Sequence, residues 1–269
     1  MREVIVRGDG FELPLLQSEV VPPEFRHGFT TRRGGVSRPP FDSLNLGGRW
    51  GDEAAAVAEN RRRFEVAAGG GPVHFARQVH GRAVARVPAG AVPGAVAGVD
   101  ADAVMTGAPR TAVGVYTADC TPILIADART GACAAVHAGW RGTVAGVAGA
   151  AVQAMRAAFG TAPADLRVAI GPTIGPCCFE VGPEVVAQVE AAFPGARAAG
   201  AIVAGAPREH VDLPGLNRAA LVAAGVAPAA VDVAGACTRC DEARFYSYRR
   251  EGGRTGQLAA FLRYEKDRG

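Results

Sequence analysis

The segment from Thr117 to Thr143, TADCTPILIADARTGACAAVHAGWRGT, places a cysteine and a histidine at the ends of two short apolar runs. Runs of this length that are separated by turn residues predict buried β-strands. Cys120 stands just before the first run and His137 at the end of the second. Side chains at strand ends lie at the edge of a sheet, where a ligand can reach them. The segment therefore predicts a functional site at such an edge.

A third soft ligand, His80, lies upstream in the sequence QVHG. One thiolate and two imidazoles suit catalytic zinc, which commonly uses three protein ligands and leaves a fourth position for water or substrate. The three residues are scattered and no short-spaced pair such as HExxH anchors them. Spacing alone therefore leaves open a buried thiol and two hydrogen-bonded core histidines. Our hypothesis is that His80, Cys120 and His137 are both the metal ligands and the catalytic residues.

The same three residues are compatible with other chemistries. A blue-copper centre also uses two histidines and a cysteine, but neither Met105 nor Met155 lies in a compact loop with Cys120 to serve as its axial ligand. With five histidines in the chain, a copper oxidase would have to use a single mononuclear site. A cysteine hydrolase would use Cys120 as nucleophile and His80 or His137 as base. A metal-binding protein without catalysis is the remaining alternative.

A potential anion site follows the second apolar run directly. Gly139-Trp140-Arg141-Gly142-Thr143 opens a predicted helix, and the free N–H groups of a helix N-terminus, together with Arg141, attract anions. Arginine suits bidentate anion contacts, although a single arginine is more often plain surface charge. Asp119, beside Cys120, either acts as a general acid or base or holds the turn through an Asx hydrogen bond. The substrate-binding candidates are Arg32, Asn45, Asp119, Arg141 and Arg249.

Four further cysteines form two pairs, the vicinal Cys177 and Cys178 and the CxxC pair Cys237 and Cys240. Four thiolates would suit a structural zinc site. A lone CxxC is common, however, and its partner pair lacks that spacing. A packed turn with buried thiols is therefore the more economical interpretation, and the sequence leaves the role of these cysteines open.

Helical and strand-like segments alternate only partly along the chain, which predicts a mixed-sheet α/β or α+β protein. The three runs at 111–117, 122–127 and 132–137 predict an antiparallel meander with Cys120 in its first turn. No linker or compositional break divides the chain. Residues 1–269 therefore form a single predicted domain.

The other predicted elements follow from turn and cap residues. Asp52 is the predicted cap of a helix that runs to about Ala68, and Asp212 of one that runs to Ala224. Further helices are predicted at 142–159 and 183–193. Further strands are predicted at 2–7, 11–16, 25–31, 73–80, 82–87, 166–170, 230–234 and 257–264.

Charge and hydropathy argue against nucleic-acid and membrane partners. The net charge is only +3 and no long basic tract is present, although arginine supplies nearly all the positive charge. The N-terminus lacks the apolar core of a signal peptide, and the most apolar helix-like run, 144–159, is too short to span a bilayer. We therefore predict a cytoplasmic protein whose six cysteines are reduced thiols or metal ligands.

Seven segments, read in order, resemble the laccase-domain family, which is variously called multicopper polyphenol oxidase, purine nucleoside phosphorylase or peptidoglycan editing factor. They extend over nearly the whole chain and make the resemblance highly specific for the family. The segments are GFTTRRGGVS…SLNLG, RQVHG, DADAVMT, TADCTPILIAD, AAVHAGWRGT, AIGPTIGPCCFEVG and CTRC…FYSYRREGGRTG.

The resemblance implies a four-layer α/β/β/α fold with mixed sheets. It implies a zinc centre, with copper as the alternative metal, whose ligands match His80, Cys120 and His137. It also implies phosphorolysis of adenosine, inosine and methylthioadenosine, with nucleoside and phosphate as small-molecule partners, and adenosine deaminase activity beside it. The alternatives within the family are a hydrolase that edits cell-wall precursors and a mononuclear copper polyphenol oxidase.

One position departs from the family pattern. After SYRR the family sequence usually continues to TGR, whereas here Thr255-Gly256 is followed by Gln257. If the family arginine holds an anion, this protein either binds that anion less well or uses Arg254 instead.

Overall fold

Short apolar runs between turn residues form most of the strands in the computed structural model, which describes residues 1–266. The strands are β1 (Arg2–Gly8), β2 (Phe11–Gln17), β3 (Phe25–Thr30), β4 (Val73–His74), β5 (Val84–Val87), β6 (Ala103–Thr106), β7 (Ala112–Thr117), β8 (Thr121–Asp127), β9 (Ala132–Ala138), β10 (Leu166–Ile170), β11 (Ile202–Val203), β12 (His210–Val211), β13 (Val231–Val233) and β14 (Leu258–Tyr264). The helices are α1 (Ala54–Ala67), α2 (Trp140–Val144), α3 (Val147–Phe159), α4 (Pro183–Ala192) and α5 (Leu213–Ala223).

The strands form two six-stranded mixed sheets. The first sheet has the order β1-β2-β3-β14-β7-β4 and the second the order β13-β10-β8-β9-β6-β5. Neighbours inside each sheet are antiparallel, whereas the edge pairs β4/β7, β10/β13 and β5/β6 are parallel. The short strands β11 and β12 pair separately. The prediction of a mixed-sheet α/β or α+β protein is confirmed.

The two sheets pack face to face, and helices cover their outer faces. Phe25 and Val113 of the first sheet pack against Leu124 and Ala135 of the second in a buried core. Phe64 of α1 covers the first sheet, where its ring meets Phe261 edge-on at 5.4 Å. The helices α3 and α5 cover the second sheet. This is the four-layer α/β/β/α arrangement that the family resemblance implies.

The predicted antiparallel meander is wrong because its first strand belongs to the other sheet. β7 lies between β14 and β4 in the first sheet, whereas β8 and β9 pair in the second. The chain crosses between the sheets at Asp119, whose backbone has a φ of +84°. The sequence of a short turn does not show whether the next strand pairs in the same sheet or belongs to a different sheet. The crossing places Cys120 where the two sheets meet.

Two helix predictions also need correction. The Asp52 carboxylate does not cap α1, since it accepts hydrogen bonds from Ser37 and from Asn45. The helix predicted at 142–159 is two helices, α2 and α3, because Gly146 between them has a φ of +81° that interrupts the helical bonds. By contrast, the predicted Asp212 cap is present, and its carboxylate accepts a bond from Gly215 N.

The strand predicted at 73–80 is confined to Val73–His74, and at its far end the N–H groups of Val79 and His80 bind the buried carboxylate of Asp102. Strand β6 was not predicted. Within residues 1–266, no helix is both long and apolar enough to cross a membrane.

Candidate metal centre

Three different parts of the fold supply His80, Cys120 and His137. His80 lies in the loop between β4 and β5, Cys120 directly precedes β8, and His137 lies near the end of β9, which pairs with β8. Their candidate ligand atoms all lie within 4.8 Å of one another. The Cys120 Sγ atom is 3.9 Å from Nε2 of His80. The structure thus brings together all three residues that were predicted as metal ligands.

The spacing of these atoms fits a tetrahedral zinc ion. With Zn–S near 2.3 Å and Zn–N near 2.0–2.1 Å, a tetrahedral ion holds sulfur and nitrogen ligands about 3.6 Å apart. The observed Cys120–His80 separation of 3.9 Å is close to this value. The donor set is also one that zinc and copper both accept. The three residues therefore fit the metal that the family resemblance implies.

A buried carboxylate, Asp102, holds both histidines in place. Its side chain accepts a hydrogen bond from Nδ1 of His137 at 2.8 Å, which leaves Nε2 of that ring facing the other two ligands. It also accepts the main-chain N–H groups of Val79 at 3.2 Å, His80 at 2.9 Å and Gly81 at 2.6 Å. These bonds support His80 in a left-handed backbone conformation, with a φ of +61°.

Asp102 was missed as a site residue from the sequence, although it lies in the family-like segment DADAVMT. The available signal was an acid immediately before a short apolar strand, where burial requires hydrogen-bond partners. Burial alone would raise the pKa of Asp102, but the hydrogen bonds from His137 and Gly81 outweigh it and the pKa lies below its usual value. Asp102 is therefore an anion that orients the histidines.

Cys120 and His137 form a pair of opposite charges. Burial alone would raise the pKa of the Cys120 thiol, but the charge of His137 and hydrogen bonds from both histidines lower it to about 6. Burial likewise lowers the pKa of His137, and the Cys120 thiolate and Asp102 outweigh this effect and raise it to about 9. The thiolate that results is the form of cysteine that binds metals or acts as a nucleophile.

Gly139 lies against the cluster formed by His80, Cys120 and His137, where there is no room for a larger side chain. A Cβ atom at this position would lie 2.9 Å from Cδ2 of His80 and 3.0 Å from Sγ of Cys120. The Gly139 φ of −68° is one that alanine adopts readily, so a substitution acts through steric contact alone. We expect Gly139→Ala to push the two ligands apart and weaken zinc binding by about 10-fold or more, measured by chelator competition.

A matched control for this substitution is Gly149→Ala. Gly149 lies inside α3, and a Cβ atom there would meet nothing within 4 Å. Alanine is the better helix former, so Gly149→Ala should keep zinc binding and stabilise the fold by up to about 1 kcal/mol. Equal zinc affinity in the two variants would show that Gly139 does not shape the centre.

The three candidate ligands lie in a cavity of about 580 Å³ between the two sheets and the loops above them. Aromatic side chains form much of its wall: Trp50, Tyr116, Trp140, Phe179 and Tyr248. The rings of Trp50 and Tyr248 lie 6.1 Å apart, while Tyr116 is stacked on Phe75 at 4.0 Å. The cavity is large enough for a small ligand and offers flat apolar faces for stacking.

Among residues 1–266, three arginines also line this cavity: Arg49, Arg141 and Arg249. Arg249 donates a hydrogen bond to the carbonyl of Glu180 at 3.0 Å. Within residues 1–266, the side chains of Arg49 and Arg141 have no hydrogen bond or ion pair, and each guanidinium lies over a tryptophan ring, Trp50 at 5.7 Å and Trp140 at 4.3 Å. Arg49 was missed from the sequence. Both of these cations have donors free for an anion.

Two of the predicted substrate-binding residues do not line the cavity. Arg32 donates to the carbonyl oxygens of Asp42 and Glu242 and lies over the ring of Tyr246 at 4.7 Å. Asn45 is buried, and its amide joins Gly47 and Asp52 on one side and the main chain of Gln257 on the other. Their hydrogen-bonding groups are occupied by the loops that they hold, and the structure does not bring them together with the other substrate-binding candidates at the cavity.

Asp119 lines the cavity but its carboxylate is occupied. It accepts hydrogen bonds from Thr238 Oγ1 at 2.6 Å, Ser247 Oγ at 3.0 Å and the Arg249 main-chain N–H at 2.7 Å. Its carbonyl oxygen accepts another from Thr173 Oγ1 at 2.7 Å. These carboxylate bonds reach distant loops rather than forming a local Asx hydrogen bond, so Asp119 fastens the loops at Thr238 and Ser247 to the turn before Cys120.

Gln257, which departs from the family pattern, lies in the cavity wall. Arg254 does not line the cavity, and its guanidinium lies over the ring of Phe41 at 5.4 Å. Arg49, by contrast, does line it. The cationic character of the cavity thus comes from Arg49, Arg141 and Arg249 rather than from Arg254.

Comparisons with known proteins cover almost the whole chain. The chain is 42% identical over 254 residues to the purine nucleoside phosphorylase of Deinococcus radiodurans, and the aligned region covers 93% of this chain and 92% of that protein. It is 43% identical over 241 residues to a purine nucleoside phosphorylase of Pseudomonas aeruginosa, at 90% and 94% coverage.

Solved structures agree with this relationship. The structure of YlmD from Geobacillus stearothermophilus superposes with a TM-score of 0.85 at 32% identity, and covers 98% of this chain and 100% of that one. YfiH of Bacillus licheniformis superposes with the same TM-score at 31% identity, with 94% and 96% coverage. The family model described as multi-copper polyphenol oxidoreductase laccase matches residues 26–265, and the chain therefore belongs to this family.

Proposed function

We propose that the protein is a zinc-dependent purine nucleoside phosphorylase that converts adenosine, inosine and methylthioadenosine to the free base and sugar 1-phosphate. The observation that carries the proposal is the presence, in one cavity, of the His80–Cys120–His137 donor set and two arginines that have no anionic partner among the described residues. The names of the relatives supply the substrate class. Adenosine deamination is proposed as a second reaction of the same cavity.

Each part of the cavity has a task in phosphorolysis. A phosphate oxygen must form a bond to C1′ of the sugar while the C1′–N9 bond breaks and its electron pair leaves with the base. Arg49 and Arg141 are the groups that would hold the phosphate, and the rings of Trp50 and Tyr248 would stack on the purine. A zinc ion held by His80, Cys120 and His137 would act as a Lewis acid and polarise an oxygen atom.

The test combines metal removal with a nucleoside assay. Purified protein is stripped with a chelator and then reloaded with zinc or with copper. Sugar 1-phosphate and free base are then measured from inosine with and without phosphate. We expect sugar 1-phosphate only when zinc and phosphate are both present. Oxidation of a phenol by the copper form, without nucleoside turnover in the zinc form, would instead indicate the mononuclear copper oxidase.

A cysteine hydrolase that acts on cell-wall precursors is the second candidate function. It is favoured by the Cys120 thiol, whose pKa of about 6 and proximity to two histidines suit a nucleophile. The two functions differ in their dependence on metal. Full turnover of a cell-wall precursor by protein that has been stripped of metal, together with loss of this activity when the thiol is alkylated, would establish the hydrolase and exclude the zinc phosphorylase.

The proposed phosphate site leads to a further prediction. We expect Arg141→Ala to raise the KM for phosphate by about 10- to 100-fold, because a hydrogen bond to a charged group contributes about 1.5–3 kcal/mol. The KM for inosine should change much less. Steady-state kinetics at varied phosphate measure the effect. The control is Arg156→Ala, which removes an exposed arginine of α3 that lies outside the cavity. Equal phosphate KM values for the two variants would exclude Arg141 from the phosphate site.

A further inference from the structure

A second cluster of soft ligands lies outside the candidate metal centre. Cys177 and Cys178, in the loop after β10, meet Cys237 and Cys240, in the loop after β13. The four sulfur atoms all lie within 4.8 Å of one another. Cys240 Sγ is 3.3 Å from Cys178 Sγ and 3.7 Å from Cys177 Sγ. The four cysteines, which are free thiols, thus converge from two loops more than 50 residues apart.

These separations match a tetrahedral four-thiolate site. A zinc ion with four Zn–S bonds near 2.3 Å holds its sulfur ligands about 3.8 Å apart. The measured contacts of 3.3 and 3.7 Å, and the upper limit of 4.8 Å for all pairs, lie around this value. Four close sulfur atoms thus leave room at their centre for one ion.

Polar groups around the cluster support negatively charged sulfur. The main-chain N–H of Gly175 donates to Cys237 Sγ at 3.3 Å, and the Arg239 guanidinium donates to Cys178 Sγ at 3.5 Å. Hydrogen bonds of this kind orient metal-binding thiolates and offset their charge. A positive arginine would have no such electrostatic role beside four neutral thiols.

The main chain holds the two loops in register beside the cluster. The Thr238 N–H donates to the carbonyl of Thr173 at 3.0 Å, and the Thr173 N–H donates to the carbonyl of Ala236 at 3.3 Å. The same loops also reach the first cavity, since Thr173 and Thr238 both bind Asp119, the residue before Cys120. An ion at the cluster would therefore fasten the loops that hold one wall of that cavity.

We infer that Cys177, Cys178, Cys237 and Cys240 bind a structural zinc ion, separate from the ion proposed at His80, Cys120 and His137. Four protein ligands complete a tetrahedron and leave no position for substrate, which is the arrangement of structural zinc sites. The inference concerns the stability of the loops, and it holds whether or not the protein is a phosphorylase.

The experiment uses the full chain with Cys120→Ala, a substitution that removes a ligand of the first centre and leaves the four-cysteine cluster intact. The protein is produced in zinc-supplemented medium, and metal and protein are measured together. We expect about two zinc ions per chain in the wild type and about one in Cys120→Ala. When cobalt replaces zinc in Cys120→Ala, thiolate-to-cobalt charge transfer should absorb with the intensity of four sulfur ligands.

A reciprocal variant separates the two sites. Cys237→Ser combined with Cys240→Ser should lose about one zinc ion per chain and retain the other. Cys133→Ala, which removes a core thiol outside both clusters, should retain both ions. The inference is overturned if Cys120→Ala contains no zinc, or if its cobalt form lacks the thiolate absorption. Zinc content and cobalt absorption are both measured on Cys120→Ala, so the test does not depend on the folding of the double variant.

Discussion

We expect Cys120→Ala to empty the candidate metal centre and to lower kcat/KM for nucleoside phosphorolysis by about 10³-fold or more. The thiolate is the only anionic ligand of the three, and two neutral imidazoles alone hold zinc far more weakly. A Lewis acid contributes several kcal/mol to catalysis, and each 1.4 kcal/mol corresponds to about a tenfold change in rate. The measurements are kcat/KM for inosine at saturating phosphate and zinc affinity at this centre.

The matched control is Cys133→Ala. Cys133 is fully buried between the sheets, and its thiol lies 3.9 Å from the carbonyl of Leu262, a long and weak polar contact. Its substitution should cost about 1 kcal/mol of stability and leave metal and turnover unchanged. Activity of Cys120→Ala equal to that of Cys133→Ala would remove the metal centre from the mechanism and, with it, the hydrolase alternative.

Local patterns predicted much of the secondary structure but not the pairing between distant strands. The first hairpin, β1 and β2, follows from two apolar runs around Gly8-Asp9-Gly10. The cap at Asp212 is equally local. Strand β7 was misplaced because its neighbour in the sheet is β14, more than 130 residues away. No local pattern specifies that pairing, since strands of both sheets, such as β7 and β8, are apolar and buried in the same way.

The candidate site shows the same difference between what local patterns predict and what contacts between distant segments decide. His80, Cys120 and His137 were predicted as one cluster because metal-binding residue types at the ends of apolar runs are recognisable in the sequence, and the structure brings the three together. Arg32 and Arg49 show the limit, because each lies in a glycine-containing loop and the sequence alone does not distinguish them. Arg32 is bound by carbonyl oxygens from two other loops, whereas the Arg49 side chain lines the cavity and has no hydrogen bond or ion pair within the part of the chain that the structure describes. Only the positions of distant loops decide which arginine lines the cavity.

Asp102 connects the two histidines and is the place where a small change should have a large effect. Its Oδ1 atom accepts bonds from His137 Nδ1 and the His80 N–H, and its Oδ2 atom accepts bonds from the Gly81 and Val79 N–H groups. All four donors therefore require a carboxylate with two acceptor oxygens. An asparagine has the same shape but offers one acceptor and one donor group.

Either orientation of the asparagine amide would damage the centre. If its oxygen faces His137, the N–H groups of Gly81 and Val79 meet an N–H₂ group, and the loop that carries His80 loses its support. If the amide is reversed, the ring of His137 loses its acceptor at Nδ1 and favours the tautomer with a proton on Nε2, the atom that faces the metal. Both arrangements weaken metal binding.

We therefore expect Asp102→Asn to lower zinc affinity by about 10- to 100-fold and stability by about 1–3 kcal/mol. Turnover at saturating zinc should recover in large part, because the three ligands are still present. Asp100→Asn is the control, since Asp100 is exposed two residues upstream and pairs with Arg77 at the surface, where an ion pair contributes about 0–1 kcal/mol. If the role of Asp102 were purely structural, Asp102→Asn would lower the melting temperature but have the same zinc affinity as Asp100→Asn.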